Sequence, residues 1–204
     1  MKADPSSADK TSGAGRPRDP RIDAAILRAT ADLLVEIGYA NVTMAAVAER
    51  AGTTKTALYR RWSSKAELVH EAAFPVTPSA IETPPGDIAA DLRAMIDAAR
   101  DVFTSPVVRA ALPGLIADLS ADAELLGRVS DRFTDLFAAV RTRLQDAVDR
   151  GEVRAGVDPD RLVHLIGGAT LLTVLQAPTD LESPAWAEKT ADILLRGIEA
   201  GPVA

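Results

Sequence analysis

The side chains best suited to chemistry in this sequence are hydrogen-bond donors gathered into one short run: Thr54, Lys55, Thr56, Tyr59, Arg60 and Arg61. Thr54, Lys55 and Thr56 fall where a helix would begin, so side chains and free backbone N–H groups point together towards an anion or a base edge. Tyr59 lies one turn after Lys55 and Thr56 on the same face. Its hydroxyl can reach a phosphate or a thymine, and Arg60 or Arg61 can add charge at the flank. This is recognition chemistry, not bond-making chemistry. Arg16 and Arg18, in a polar N-terminal stretch, suit the minor groove of a duplex or, equally, an idle solvated tail.

Catalytic alternatives find little support. The chain has no cysteine, which removes disulfides, thiolate–zinc sites and cysteine nucleophiles. His70 and His164 are far apart and sit in no catalytic or metal motif, and the glycine pairs at 151/156 and 167/168 form no phosphate loop. The acidic residues are spaced like helix caps and surface charges. The reading is of a non-enzyme that needs no cofactor and no metal. A helical enzyme without a recognisable motif is one rival. A helical adaptor that binds protein is another, and the loss of Lys55, Tyr59 and Lys65 would have favoured it; all three are present.

The elements that must position these residues are helices. Ile22, Ile26, Leu33, Leu34 and Ile37 predict a first helix buried on one face and ended by Gly38. Thr43 is the N-cap of a short second helix, with Val42 and Val47 as its hydrophobic staple. Gly52 supplies the turn, Thr53 or Thr54 caps the next helix, and Lys55 to Trp62 form a third helix of about two turns. Ser64 and Glu67 make a capping box for a fourth helix running to about Phe74. Ala48, Leu58 and Trp62 belong to the core of this small unit.

Four prolines and one glycine in residues 75–86 mark a domain break. The organisation read from the sequence is therefore a flexible arm (1–19), a helix-turn-helix unit (20–74), a Pro-rich linker (75–86) and a helical C-terminal domain (87–204). In the last, Ile88, Leu92, Met95, Ile96, Ala99, Val102 and Phe103 form one stripe, stopped at Ser105-Pro106. A helix follows through Leu119. One long helix from about Asp122 to Arg150 is then expected, with Leu126, Val129, Phe133, Leu136, Phe137, Val140, Leu144 and Val148 on its buried face. Asp158-Pro159 and Ser183-Pro184 open helices of roughly 159–176 and 184–200. The fold class is all-α.

Charge is divided along the chain. The net charge is −6; residues 1–74 carry 11 Lys+Arg against 9 Asp+Glu (+2), leaving 12 against 20 (−8) for residues 75–204. An acidic body repels nucleic acid, so any binding must come from the locally basic N-terminal unit and weaken steeply with salt. The first twenty residues are polar, and no run reaches the ~18 apolar residues of a membrane span, which points to a cytoplasmic protein without a membrane role.

Three short helices with a glycine turn suggest a helix-turn-helix. The run TMAAVAERAGTTKTALYRRWSSKAELV, residues 43–69, resembles the DNA-binding domain of the tetracycline-repressor (TetR) family almost position by position. The resemblance covers about residues 17–74. It rests on Gly38-Tyr39, Thr43, Ala48, Ala51-Gly52, Leu58-Tyr59, Trp62 and Lys65-Glu67-Leu68. The chain departs from the family in Thr56, where Gly or Pro is common, and in Trp62, where Phe is usual; Thr56 adds a hydroxyl and a methyl, so no operator sequence can be borrowed. The resemblance implies that Tyr59 touches DNA and that Thr43 and Lys65 hold the phosphate backbone. Thr43 and Thr54 have the plain alternative of capping alone, and the two roles can coexist.

The same resemblance implies a homodimer through the last two helices, around Gly167-Gly168-Ala169, Leu171, Leu172, Val174, Leu175, Ile193, Leu194 and Ile198. Packing within one chain is the alternative. It implies a ligand-responsive repressor, released from a double-stranded, pseudo-palindromic operator by a small-molecule effector. The effector site is expected between helices, among Phe103, Phe133 and Phe137, with Arg109, Arg141, His164, Thr170, Thr173 and Gln176 as sources of polarity.

Overall fold

A computed structural model describes residues 20–75 and 87–198, and the expected arm at 1–19, most of the Pro-rich linker and the last six residues lie outside them. Helices make up the fold, with no strand among the described residues. The first four are α1 (Pro20–Asn41), α2 (Met44–Arg50), α3 (Lys55–Tyr59) and α4 (Lys65–Ala73). The rest are α5 (Ile88–Thr104), α6 (Pro106–Ala121), α7 (Ala123–Asp131), α8 (Thr134–Asp149), α9 (Pro159–Gln176), α10 (Pro178–Leu181) and α11 (Pro184–Ile198). No single described helix is long and apolar enough to cross a membrane.

Caps set most of the boundaries. Thr43, Thr54, Ser64, Asp87, Ser105 and Asp122 each accept a backbone N–H in the first turn of the helix that follows, and Asp158 accepts two. In α1 the backbone leaves helical geometry at Gly38 (φ 72°), although helical bonding resumes to Asn41. Ile22 and Ile37, expected on its buried face, are exposed. The face that packs inward is Ile26, Ala29, Thr30, Leu33 and Leu34.

Two cores hold the chain. One joins α1–α4 to α6 and α7: Ile26, Leu34, Val47, Leu58, Trp62 and Leu68 pack with Val108, Ala111, Leu115, Leu125 and Val129. The other joins α5, α8, α9 and α11 through Leu92, Ile96, Leu144, Ile166, Ala191 and Leu195. Buried side chains from both sides of residues 75–86 thus share the first core, and α6 lies along α1. At Gly114 of α6 a Cβ would fall 2.0 Å from Tyr39 Cδ1, so the tyrosine ring rests directly on the glycine.

The single helix expected over 122–150 is two helices. Arg132 N–H bonds Val129 O (3.2 Å) and Phe133 N–H bonds Ser130 O (3.0 Å), tightening the chain before α8 begins. The two cores supply a reason: α7 buries Leu125 and Val129 in the first, and α8 buries Leu144 and Ala147 in the second. A straight helix would hold one face in one direction. The break rotates the face, and Leu126, expected inside, is exposed.

Candidate nucleic-acid interface

The turn before α3 follows from residue chemistry. Gly52 takes φ 64°, a conformation natural to glycine. Its N–H bonds Glu49 O (3.1 Å) and that of Thr53 bonds Ala48 O (2.9 Å), the Schellman pattern that closes a helix. Thr54 Oγ1 then accepts the Ala57 N–H at 3.2 Å and starts α3. The helix is one turn shorter than the expected Lys55–Trp62: it ends at Tyr59, and Arg60 and Arg61 lie in the following turn. Leu58 is the buried residue of α3.

Thr54, Lys55, Thr56, Tyr59 and Arg60 are all exposed and come from little more than one turn of helix. Thr43 is exposed at the start of α2 and caps it through the Ala46 N–H, 3.2 Å away. Arg61 differs. It turns inward, paired with Asp23 of α1 and donating from Nη1 to Ala57 O at 3.1 Å, so of the two adjacent arginines Arg60 is the one presented outward.

Lys65 is half-buried. Its ammonium sits 4.1 Å above the centre of the Tyr39 ring and donates to Tyr39 O at 3.1 Å. Tyr39 in turn donates its hydroxyl to Asp118 of α6, and burial together with that carboxylate pushes the phenol pKa up. Lys65 therefore stands where the start of α4, the end of α1 and α6 meet. Glu67 does not close the expected box on the Ser64 backbone; its Oε2 accepts from the N–H (2.7 Å) and hydroxyl (2.6 Å) of Ser63 instead. Arg16 and Arg18 lie outside the described residues.

Four of the expected effector residues, Phe103, Phe133, Phe137 and His164, fall into one line of rings with His70 and Phe74 from the end of the N-terminal unit. His70 stacks on Phe74 (5.1 Å between centroids) and meets Phe133 edge-on (5.6 Å). Phe74 meets Phe103 (5.9 Å), Phe133 meets Phe137 (6.4 Å) and Phe137 meets His164 (6.3 Å). His70 and Phe74 are the members that sequence reasoning missed as site residues; the clue available was their i, i+4 spacing on α4. His70 is buried and its Nδ1 has no partner. Burial, helped by the nearby Arg132 charge, pushes its pKa down to about 4, so the ring is neutral at neutral pH.

Arg109, Arg141 and Thr173 stand apart from this line and tie helices together. Arg109 pairs with Glu182 (2.8 Å), Arg141 with Asp160 (2.9 Å), and Thr173 Oγ1 accepts from Trp186 Nε1 (3.1 Å). Thr170 is buried and bonded to Ile166 O, whereas Gln176 is exposed.

Residues 26–72 match the family model described as bacterial regulatory proteins, tetR family, and residues 83–194 match a tetracyclin repressor-like C-terminal domain. An HTH-type transcriptional regulator of Mycobacterium tuberculosis is 35% identical over 164 residues, covering 76% of this chain and 79% of its own. The DNA-binding transcriptional repressor TetR of Mycobacteroides abscessus is 32% identical over 186 residues, covering 87% and 94%. Among solved structures, the TetR family transcription regulator SCO0332 is 30% identical with a TM-score of 0.65, covering 87% of this chain and 98% of its own.

Proposed function

The chain belongs to the TetR family of DNA-binding transcriptional regulators, and on that premise we propose that it is a ligand-responsive repressor acting in the cytoplasm as a homodimer on a pseudo-palindromic operator. Thr54, Lys55, Thr56 and Tyr59 read the major groove from α3 and its cap. Thr43, Arg60 and Lys65 hold the phosphates, and Arg16 and Arg18 reach the minor groove. The observation that carries this reading is the row of exposed donors on α3, a helix that buries Leu58 and turns its other long side chains outward. Lys65 serves by releasing the Tyr39 carbonyl to meet a phosphate, or by holding Tyr39 while its backbone N–H makes the contact.

The dimer forms through α9 and α11. Leu165, Gly168, Leu172 and Leu175 recur every three or four residues on the outer side of α9, and Ile193 of α11 is 70% exposed. Apolar side chains left in water in such a stripe mark an interface. A two-fold dimer then sets two copies of α3 about one DNA turn apart. The small-molecule effector binds along the line Phe103, Phe133, Phe137 and His164, and shifts the population away from the DNA-competent spacing. Arg109, Arg141 and Thr173 shape that site through the helix ties they make.

Selection from a random duplex pool tests the reading. Enrichment of a two-fold sequence that a Lys55→Ala/Tyr59→Ala variant no longer binds is the expected result. Failure of the folded, dimeric protein to enrich any duplex would refute it.

A further inference from the structure

α3 has five residues, fewer than a helix needs to hold its own course, so its direction depends on what anchors the chain at either end. The Thr54 cap serves one end. At the other, the turn leading into α4 is gripped from the regulatory half. Trp62 is buried and its backbone N–H still bonds Leu58 O of α3 (2.9 Å). Its indole N–H donates to Glu71 Oε2 at 2.8 Å, and Arg132 Nη1 donates to that same oxygen at 2.6 Å. Arg128, one turn earlier on the same side of α7, donates from Nη2 to Ser63 Oγ at 3.3 Å and pairs with Glu124 (2.7 Å).

We propose that Arg132 is a positioning residue for DNA recognition: through Glu71 and Trp62 it fixes the angle at which α3 is presented, and so the spacing that the dimer accepts. This rests on the proposed reading of α3 as the reading helix. Three facts support it. The contact is a charge-assisted bond with the Arg132 and Glu71 side chains only 29% and 28% exposed, where such bonds are stronger than at an open surface. It acts on the residue directly bonded to the end of α3. Arg132 also sits on the α7–α8 break beside Phe133, whose ring meets His70 and Phe137, so the brace adjoins the ring line.

The test compares wild type with Arg132→Met and Arg132→Lys, using the selected duplex, the same duplex with one base pair inserted at its centre, and an unselected duplex. A Trp186→Phe background leaves Trp62 as the sole tryptophan, so its emission reports the indole bond. Arg132→Met is expected to bind the selected duplex about five- to thirtyfold more weakly. It loses discrimination against the inserted base pair, shifts Trp62 emission, and binds the unselected duplex as wild type does. Arg132→Lys restores binding, since the bond uses a single donor. If Arg132→Met does not fold, Glu71→Gln replaces it with the same expected pattern. Unchanged affinity and discrimination, or an equal loss on selected and unselected duplexes, overturns the brace alone. A wild-type protein that selects no duplex overturns the brace and the reading together.

Discussion

Lys55 and Tyr59 are both exposed, Tyr59 by 55%, and lie outside the core, so their removal separates recognition from stability. Lys55→Ala and Tyr59→Ala should each weaken operator binding by about 1–2 kcal/mol in a filter or anisotropy titration while leaving the melting temperature within about a degree. Thr43 and Thr54 cap their helices and, on the proposed reading, also meet DNA, so alanine at either should cost about 1 kcal/mol of stability through the lost cap as well as weakening binding. His70 gives a pH signature. The folded protein keeps the imidazole neutral down to about pH 4, whereas the unfolded chain protonates near 6.5. Between these values the unfolded state binds more protons, so stability rises with pH across that window. His70→Phe should flatten the rise in urea unfolding series run from pH 4 to pH 7. The cap roles of Thr43, Thr54 and Ser64 were legible because capping is decided within three residues. The Lys65 contact was not, since Tyr39 lies 26 positions away and no local signal pairs them.

At the scale of elements, local cap signals placed the starts of α4, α6 and α9 and the end of α5, where serine or aspartate caps and prolines act over a few residues. The break between α7 and α8 has neither glycine nor proline and follows from two cores lying in different directions, which a periodic pattern cannot encode. α3 stops early for a related reason: Arg61 is drawn to Asp23 and the chain must turn for Trp62 to enter the core. The close seat of Tyr39 on Gly114 was likewise invisible, being a meeting of α1 and α6. Gly114→Ala would drive a methyl into the ring itself, not into a flexible side-chain tip. The expected cost is about 1–3 kcal/mol, at roughly 2–4 °C of melting temperature for each kcal/mol in a chain this size. Because the ring also carries Lys65 and Asp118, operator binding should fall with it.

For the whole molecule, the net charge of −6 and the exposed stripe on α9 and α11 pull in different directions. The acidic C-terminal half leaves the locally basic N-terminal face to make the DNA contacts, and binding through that face should fall steeply with salt as counterion release is lost. On the proposed reading the stripe is covered by a second copy, which supplies the two-fold arrangement that a pseudo-palindrome needs. Ile193→Glu should sediment as a monomer with an unchanged circular dichroism spectrum, since the side chain is 70% exposed in one chain and the proposed dimer is what would bury it. The all-helical class and the helix-turn-helix were readable because both arise from patterns along the chain. The shared core between the reading unit and α6–α7 required the folded chain, because none of its contacts is local.

The most direct test of two-headed reading is the stoichiometry of the selected duplex by sedimentation equilibrium, repeated after one half-site is scrambled. Two chains per duplex, with affinity lost when either half is scrambled, is the result this account predicts. One chain per duplex, indifferent to the second half-site, would contradict it.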